Sequence, residues 1–428
     1  MARIVIAGGG VAGLEALIAL RRHLGPGPQI QVLDHGAELV ERPMTVAEPF
    51  GAGAPRHLDL ARVAADHDAV LRPDRLASVA PGSSRLQTVR GDVVSFDALL
   101  VAVGARPDVA VPGALTFSGH GSVEAFSSLL ADLDARRTRS VAFAVPLGIV
   151  WTLPLYELAL MTAEHLRDAG VDDARLVLVT PEQDPLDVFG AAIASRIRAL
   201  LAQRHIAVRT EAVPLRVGPG GLVLERRDPV RVERVVALPR LGGPWLGGVP
   251  HDEEGFIPTD EHGAVPGAPG VWAAGDSTSF PIKQGGIAAQ QADAAAAAIA
   301  AHLAAPIDPP PFRPQLRGLL LDPRGAHFLR RETDQASDTA LWWPPSKIAA
   351  EHLAPYLAAA APAGRREPEA ETGEVDVGEL LLSLAERHAA LGEDALALRC
   401  LNAAAQVMGM LPADAAARRD ELAGASER

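Results

Sequence analysis

A glycine-rich turn between a strand and a helix constrains this chain more than any other feature of its sequence. Arg3–Ala7 is a largely apolar run, as a buried parallel strand requires. The motif Gly8-x-Gly10-x-x-Gly13 follows and leads into a helical stretch, Leu14–Leu24. The next strand, Gln29–Asp34, ends on an acid at the spacing typical of a dinucleotide-binding βαβ unit. The start of the chain therefore predicts such a unit.

Each glycine of the motif has its own physical reason. Gly8 permits the tight turn, Gly10 lets the backbone approach a pyrophosphate, and Gly13 lets the helix pack on the strand. The helix N-terminus offers free N–H groups to phosphate, and the acid after the second strand can accept hydrogen bonds from a ribose. A glycine turn without a ligand is the alternative, which this context disfavours. The predicted nucleotide-binding residues of this unit are Gly8, Gly10, Val11, Ala12, Gly13 and Asp34.

Charge and cysteine content exclude several other kinds of protein. The formal net charge of −13 and the lack of a Lys/Arg run disfavour nucleic-acid binding. A single cysteine, Cys400, excludes an intramolecular disulfide, a cysteine-pair redox centre and a cysteine zinc cluster, and the histidines show no metal-ligand spacing. The N-terminus lacks a signal-peptide layout, and the Ala-rich stretch 292–305 contains Asp293 and His302. We therefore expect a cytoplasmic protein without a membrane span.

The pattern of strand, helix and strand restarts in the middle of the chain. Ser140–Val145 and Arg175–Thr180 have the composition of buried strands, with an amphipathic helix at Leu155–Ala169 between them. A second βαβ unit is therefore predicted. The end of the chain predicts two helices, Val377–Leu391 and Ala395–Met408, which a tight turn joins into a hairpin.

Two more stretches identify the dinucleotide by resemblance. Asp97–Ala105 and Gly270–Asp276 are similar to two signature stretches of the two-dinucleotide-binding-domain flavoproteins, the pyridine nucleotide-disulfide oxidoreductase-like superfamily. The resemblance covers about residues 1–360 and implies FAD at the N-terminal unit, with Asp276 at its ribityl–pyrophosphate part. The further FAD-binding residues that it implies are Arg42, Ala102, Gly104, Gly275, Lys283, Gln284, Gly285 and Gly286.

Within that superfamily the chain resembles the sulfide:quinone oxidoreductase and type II NADH dehydrogenase branch most. Val179–Glu182 with Phe189-Gly190 looks like a central strand and turn of the sulfide enzymes, and Lys283–Gly286 resembles a segment near their isoalloxazine ring. Those enzymes use cysteines beside the flavin, whereas Trp151–Pro154 stands where they carry a Lys-Cys stretch. Residue content therefore excludes cysteine persulfide chemistry and disulfide reduction.

Whether the second unit binds NAD(P)H stays open at the level of sequence. The unit lacks a G-x-G-x-x-G motif, because Gly148 alone follows the strand and Pro146 removes an N–H donor. Glu182 lies just past the next strand, where an acid could bind an NAD(P)H ribose. The alternative is a domain that keeps the fold without the nucleotide.

Two features are candidates for an acceptor site. Gln290 and Gln291 partly resemble the quinone-site signature of type II NADH dehydrogenases, although an upstream glutamine of that pattern is absent; solvent-facing helix glutamines are the alternative. Trp342 and Trp343 with Lys347 suit a membrane-surface or quinone-access element. Packing of the two tryptophans between domains is the favoured interpretation of that cluster.

Lysine content singles out one catalytic candidate. The chain is rich in arginine but holds only two lysines, Lys283 and Lys347. The resemblance places Lys283 beside the pyrimidine edge of the isoalloxazine, where reduced flavin carries negative charge. An ammonium there would favour the reduced form. A lysine that points to solvent and merely flanks the turn is the alternative.

The combined prediction is an α/β protein with two nested Rossmann-like domains, a small interface domain and a C-terminal helical hairpin. The predicted parts are an FAD-binding domain at 1–137 and 255–305, a second domain at 138–254, an interface domain at 306–360, a linker at 361–376 and a helical tail at 377–428. We expect the tail to be a separable module that serves a homodimer or a protein partner.

The predicted activity is that of a FAD-dependent oxidoreductase. It would pass electrons from a reduced donor, NAD(P)H in the first instance, to a quinone or another small acceptor. One alternative is a cysteine-free relative of the sulfide:quinone enzymes with a non-nicotinamide donor. The other is a flavin-binding interaction protein in which FAD is structural. Any membrane contact would be peripheral, at the inner face.

Overall fold

The computed structural model describes residues 1–331, 335–337, 340–342, 346–357 and 377–426; the predicted linker 361–376 and Trp343 lie outside them. The strands are β1 (Arg3–Ala7), β2 (Gln29–Asp34), β3 (Glu38–Val40), β4 (His57–Asp59), β5 (Ala69–Pro73), β6 (Leu76–Ala80), β7 (Arg85–Thr88), β8 (Val93–Ser95), β9 (Ala98–Val101), β10 (Arg106–Asp108), β11 (Leu115–Thr116), β12 (Ser140–Ala144), β13 (Arg175–Val179), β14 (Ile206–Arg209), β15 (Pro214–Gly218), β16 (Gly221–Leu224), β17 (Arg227–Val230), β18 (Arg234–Ala237), β19 (Arg240–Gly242), β20 (Val271–Ala273), β21 (Arg317–Asp322), β22 (Gly325–Arg330) and β23 (Gln335–Ser337). The helices are α1 (Val11–Leu24), α2 (Leu60–Asp66), α3 (Val123–Asp134), α4 (Leu153–Asp168), α5 (Ala191–Gln203), α6 (Gly285–His302), α7 (Ala354–Leu357), α8 (Val377–Ala390), α9 (Asp394–Met408) and α10 (Ala413–Ser426).

The first parallel sheet carries the predicted dinucleotide-binding unit. Its five strands run in the order β20-β9-β1-β2-β5, and every neighbouring pair is parallel. The strands are apolar because both faces of the sheet are covered. Helices α1 and α6 pack on one face, while strands β6 and β7 and the segment 246–268 contribute to the core on the other. The sheet takes β20 from far along the chain, so the domain is discontinuous.

The residues of the second parallel sheet lie, along the chain, between two segments that form the first sheet. Its strands run in the order β11-β18-β12-β13-β14. Helices α3, α4 and α5 bury one face, and the antiparallel β15-β16-β17 sheet contributes to the core on the other. Strand β11 pairs with β18, so a segment of the predicted first domain contributes to the second sheet. The two nested Rossmann-like sheets confirm the predicted fold class.

The C-terminal part packs against both domains. The antiparallel sheet β21-β22-β23 lies against α4, and Ile348, Leu353 and Leu357 join the core under α1 and α6. Helices α8 and α9 form the predicted hairpin, with Gly392 between them at a φ of +75°. Their apolar faces belong to the same core cluster as α4 and the second sheet. The tail is thus packed into the main core, which differs from the separable module that the sequence predicts.

The helices of the described residues are short or rich in polar side chains compared with a membrane span. None of them is both long enough and apolar enough to cross a bilayer.

Candidate functional site

A large cavity brings most of the predicted site residues together. Its volume is about 990 Å³, and it extends from the carboxyl ends of β1, β2 and β9 to the N-terminus of α6 and the loop after β12. Parallel α/β sheets bind ligands at this edge. The sequence-predicted residues that line the cavity are Gly8, Gly10, Val11, Ala12, Asp34, Arg42, Ala102, Gly104, Gly148, Gly275, Asp276, Lys283, Gln284 and Gly285.

The glycine turn has the shape that a dinucleotide needs. A Cβ on Gly8, whose φ is +111°, would lie 2.2 Å from the Ala102 carbonyl oxygen. A Cβ on Gly13 would lie 1.9 Å from the Gly8 carbonyl oxygen, so α1 packs there without room for a side chain. A Cβ on Gly10 would meet no atom within 4 Å, so open space lies before the N-terminus of α1. This cradle fits the pyrophosphate of FAD.

Asp34 ties the glycine turn to the end of β2. Its Oδ2 accepts a hydrogen bond of 2.6 Å from the Gly9 N–H, and its Oδ1 accepts one of 2.7 Å from the Gly36 N–H. A carboxylate has further lone pairs beyond these two bonds, and Asp34 lines the cavity. The residue therefore positions the turn and keeps an acceptor at the predicted ribose end.

The turn after β20 is held by a glutamine of α6. The Gly275 N–H donates to Gln291 Oε1 at 2.9 Å, and Gln291 Nε2 lies 3.3 Å from Thr278 Oγ1. This fixes the backbone that presents Asp276 to the cavity. Burial raises the pKa of Asp276, and the charges of Lys283 and Arg42 oppose that rise.

The N-terminus of α6 forms the far end of the cavity. Gln284 caps it: Oε1 accepts a hydrogen bond of 2.8 Å from the Ile287 N–H, and Nε2 donates to the Arg317 carbonyl oxygen at 2.9 Å. Gly285 lines the cavity beside this cap, whereas Gly286 is buried under it. The helix N-terminus contributes roughly half a positive charge here, which suits a ring that becomes anionic on reduction.

Lys283 lies next to this helix end and is held by two contacts. Its ammonium donates to the Thr278 carbonyl oxygen and lies 3.9 Å from the centroid of the Phe256 ring. Burial lowers the pKa of Lys283 to about 7, an effect that Arg399 reinforces and Asp276 opposes. The side chain lines the cavity. The alternative of a lysine that merely flanks the turn in solvent does not fit these contacts.

A buried ion pair at the same end escaped the sequence analysis. Lys347 Nζ lies 2.6 Å and 2.7 Å from the two carboxylate oxygens of Glu157, and it also donates to the Pro43 carbonyl oxygen at 2.9 Å. Burial raises the pKa of Glu157 and lowers that of Lys347, while each charge opposes the shift of the other. Lys347 lines the cavity, so both lysines of the chain do. The scarcity of lysine in the sequence was the available signal for Lys347, whereas no local motif pointed to Glu157.

Gln290, Gln291 and Trp342, the acceptor candidates among the described residues, do not line this cavity. Gln291 holds the Gly275 turn, and Gln290 bonds the backbone of Gln315 at 2.7 Å and 3.0 Å. Trp342 is buried, and its ring lies 4.9 Å from that of Phe328. The burial of Trp342 supports the packing interpretation, and the buried ammonium of Lys347 does not suit a membrane surface. Trp343 lies outside the described residues.

In the second unit, the predicted ribose acid is fully engaged inside the protein. Three hydroxyls donate to the Glu182 carboxylate: Thr152 at 2.9 Å, Tyr156 at 2.5 Å and Thr180 at 2.6 Å. Burial raises its pKa to about 7, with Asp187 adding to the rise and the three hydroxyls opposing it. Glu182 does not line the cavity, whereas Gly148 does.

The C-terminal hairpin contacts the loops that follow three strands of the second sheet. A Cβ on Gly148, after β12, would lie 2.9 Å from Glu393 Oε2. Glu393 also pairs with Arg240, the first residue of β19 and three residues past the end of β18, at 3.2 Å. Arg387 pairs with Asp187, after β13, through bonds of 2.7 Å and 3.1 Å.

The first turns of α9, just after Glu393, reach the same cavity. Leu396 and Arg399 of α9 are among the lining residues. Neither residue carries a signal in the sequence, because both lie beyond the resemblance and meet the cavity only through the fold.

Comparisons with known proteins match one part of the chain by sequence and most of it by fold. Residues 2–143 match the family model described as pyridine nucleotide-disulphide oxidoreductase. No curated protein matches the chain. The match covers about a third of the chain, and together with the shared fold it agrees with the predicted superfamily.

Several solved structures share the fold. The sulfide:quinone oxidoreductase of the hyperthermophilic bacterium Aquifex aeolicus is 19% identical with a TM-score of 0.70, over 77% of this chain and 83% of that one. The ferredoxin reductase of the CYP199A2 system from Rhodopseudomonas palustris is 17% identical with a TM-score of 0.60, over 77% and 82%. NDH2 of Plasmodium falciparum, in complex with NADH, is 13% identical with a TM-score of 0.53, over 65% and 64%.

Proposed function

We propose that this protein is a FAD-dependent oxidoreductase that passes an electron pair from a donor other than NAD(P)H to a quinone or another small acceptor. The observation that carries the proposal is the position of the C-terminal hairpin. It lies at the carboxyl ends of β12, β13 and β18, through Glu393 and Arg387. In an open parallel sheet this edge is where a nucleotide binds, so the hairpin takes the place of NAD(P)H.

The charges in that crevice oppose a nucleotide as well. Glu393 places a carboxylate against Gly148, the position at which a phosphate would approach the backbone. The same carboxylate pairs with Arg240, so that cation is already engaged. A pyrophosphate would have to displace one negative group and compete for its partner. Both effects disfavour NAD(P)H.

Glu182 is not placed to replace those lost contacts. Its oxygens accept hydrogen bonds from Thr152, Tyr156 and Thr180 in a buried site. A pKa of about 7 also leaves it partly protonated at neutral pH. An acid in this state offers little to a ribose hydroxyl, which supports a second domain that keeps its fold without the nucleotide.

The redox chemistry then depends on FAD, which supplies the acceptance and release of an electron pair when bound. The protein's residues bind and orient it through the glycine turn, Asp276 and the N-terminus of α6. The single cysteine takes no part, because Cys400 is buried in α9 and burial raises its pKa to about 12. Apolar residues such as Trp151 and Leu319 line the far end of the cavity and suit a small acceptor such as a quinone.

Anaerobic mixing tests the donor. The FAD-loaded protein is mixed with NADH or NADPH, and its visible flavin band is followed, with dithionite as the positive control. We expect dithionite to bleach the band and both nucleotides to leave it unchanged over minutes. Rapid bleaching by either nucleotide would contradict the proposal. It would favour the second candidate, an NAD(P)H-dependent enzyme. That candidate is supported by the position of Gly148 on the same cavity as the predicted FAD-binding residues.

A second step separates an enzyme from a protein with structural FAD. The dithionite-reduced protein, freed of excess reductant, is mixed anaerobically with menadione. Return of the oxidised flavin band within seconds is the expected result. A band that stays bleached would favour the structural role.

A further inference from the structure

Helix α9 contributes a cation to the wall of the flavin cavity. Leu396 and Arg399 are one helical turn apart, so both side chains lie on the same face of α9, and both line the cavity. The helix therefore supplies an apolar group and a guanidinium to one surface. These two residues come from the same hairpin that fills the nucleotide crevice.

Arg399 is held rigidly but keeps an unused donor. Its Nη1 bonds Glu254 and lies 3.6 Å from Asp252 Oδ2, and its Cζ lies 4.9 Å from the centroid of Phe256. The residue is only 7% exposed, and its Nε is buried without a hydrogen-bond partner among the described residues. The edge of the guanidinium that carries Nη1 is thus engaged by acids, while the residue as a whole lines the cavity.

A second cation lies on the same aromatic ring. Lys283 Nζ is 3.9 Å from the centroid of Phe256, and both cations line the cavity. Three acids lie near these cations. Asp276 faces the pyrophosphate end of the cavity, while Asp252 and Glu254 pair with one edge of the Arg399 guanidinium. An anion in the cavity would be attracted by both cations and would offset the repulsion between them. Burial is the main cause of the lowered pKa of Lys283, and the charge of Arg399 adds to it.

Apolar side chains lie beside these cations, and the cavity opens to solvent near one of them. Trp245 lines the cavity while 53% of it is exposed, so it lies at the mouth. Its φ of +52° is strained for a bulky residue, and its ring packs on His251 at 4.8 Å. A small molecule that enters here passes an indole and meets the two cations at the inner end.

We infer that Arg399 and Lys283 form a subsite for the anionic group of a small organic acid, whose apolar body lies against Trp245 and Leu396. This inference rests on the proposed function, because a small donor must reach the cavity by a route other than the nucleotide crevice. It assigns that donor to a chemical class: an organic anion such as a carboxylate.

Ligand binding to the FAD-loaded protein tests the subsite without turnover. The probes are benzoate and hexanoate, with benzamide as the neutral counterpart of benzoate, and the readouts are the flavin difference spectrum and calorimetry. We expect at least one of the two anions to bind with a perturbed flavin band and benzamide to bind at least about tenfold more weakly than benzoate. Equal affinity for benzoate and benzamide, or no binding of either anion, would overturn the inference.

Variants identify the residue. Arg399→Gln should weaken the anion by about tenfold or more, and Arg399→Lys should recover most of that loss because it restores the charge. Arg387→Gln is the matched control: it breaks another ion pair of the hairpin, but Arg387 does not line the cavity, so the affinity should not change. Loss of affinity in Arg387→Gln equal to that in Arg399→Gln would refute a direct role. Bleaching of the flavin band by NADH would instead contradict the proposed function. Because anion binding and flavin bleaching are measured in separate experiments, failure of the subsite and failure of the proposed function can be told apart.

Discussion

The two lysines of the chain lie at the same end of the cavity but in different electrostatic environments. Lys347 has a carboxylate partner, Glu157, and both are buried, so each keeps the other charged. Among the described residues, the close partners of Lys283 are a carbonyl oxygen and the face of Phe256. A carbonyl and a ring stabilise an ammonium less than a carboxylate does. Lys283 is therefore the lysine whose charge can change near neutral pH.

Lys283→Met tests the electrostatic role of this residue. The methionine has a similar length but no charge, so it should lower the midpoint potential of the bound flavin by some tens of millivolts, since 30 mV of a two-electron couple is about 1.4 kcal/mol. The pKa of about 7 gives the effect a pH dependence. Below pH 7 the lysine is charged, so the midpoint potential of the wild type should exceed that of the variant by the largest amount. Above pH 7 this difference in midpoint potential should shrink. Spectroelectrochemical titration at pH 6 and pH 8 measures it.

The control is Lys283→Arg, which keeps a charge at both pH values and crowds the ring. Its potential should therefore differ from that of Lys283→Met by an amount that does not change between pH 6 and pH 8. A midpoint potential that is the same in the wild type and in Lys283→Met, with FAD still bound, would refute the role.

At the scale of elements, substitutions in the glycine turn can distinguish FAD binding from folding. Gly10 has ordinary backbone angles, with φ −75°, and a Cβ there meets no atom within 4 Å. Gly10→Val should therefore fold normally yet lose FAD, because the side chain enters the space of the pyrophosphate. Circular dichroism with the thermal unfolding midpoint, and the ratio of visible to ultraviolet absorbance of the purified protein, measure the two properties.

Gly8→Val provides the contrast. Its Cβ would overlap the Ala102 carbonyl oxygen, and its φ of +111° is strained for valine, so the fold itself should be damaged. FAD retained by Gly10→Val at the wild-type ratio would mean that the pyrophosphate does not pass this turn.

The sequence predicts those features whose residues lie within one short stretch of the chain. The β1-turn-α1-β2 unit was predictable because strand, glycines and acid follow one another in the chain. Glu182 was predicted as a ribose ligand from its place after β13, yet Thr152 and Tyr156 engage it from another element. Arg399 was not predictable, because only the fold brings α9 to the cavity. Contacts over such separations leave no periodic signal in one sequence.

At the scale of the whole molecule, the tail is part of the core of the second domain. Leu381, Leu384 and Leu401 are buried in the same cluster as Tyr156 and Phe189. Ion pairs from Arg387 and Arg399 fix the hairpin at two further points. A hairpin that closes both the nucleotide crevice and one wall of the flavin cavity links the stability of the fold to the shape of the site.

Removal of this hairpin gives the last prediction. A chain that ends at residue 376 would expose the apolar surface that α8 and α9 now cover, so we expect aggregation or a thermal midpoint lower by about 10 °C or more. A chain that ends at Pro412 is the matched control, because in α10 Leu422 alone is buried among the described side chains, and that chain should keep its midpoint within a few degrees. Both chains are compared by differential scanning fluorimetry and by FAD content. If the chain ending at 376 stays soluble with an unchanged midpoint and full FAD, the hairpin is the separable module that the sequence predicts, and its contacts with Gly148 and Phe256 contribute little.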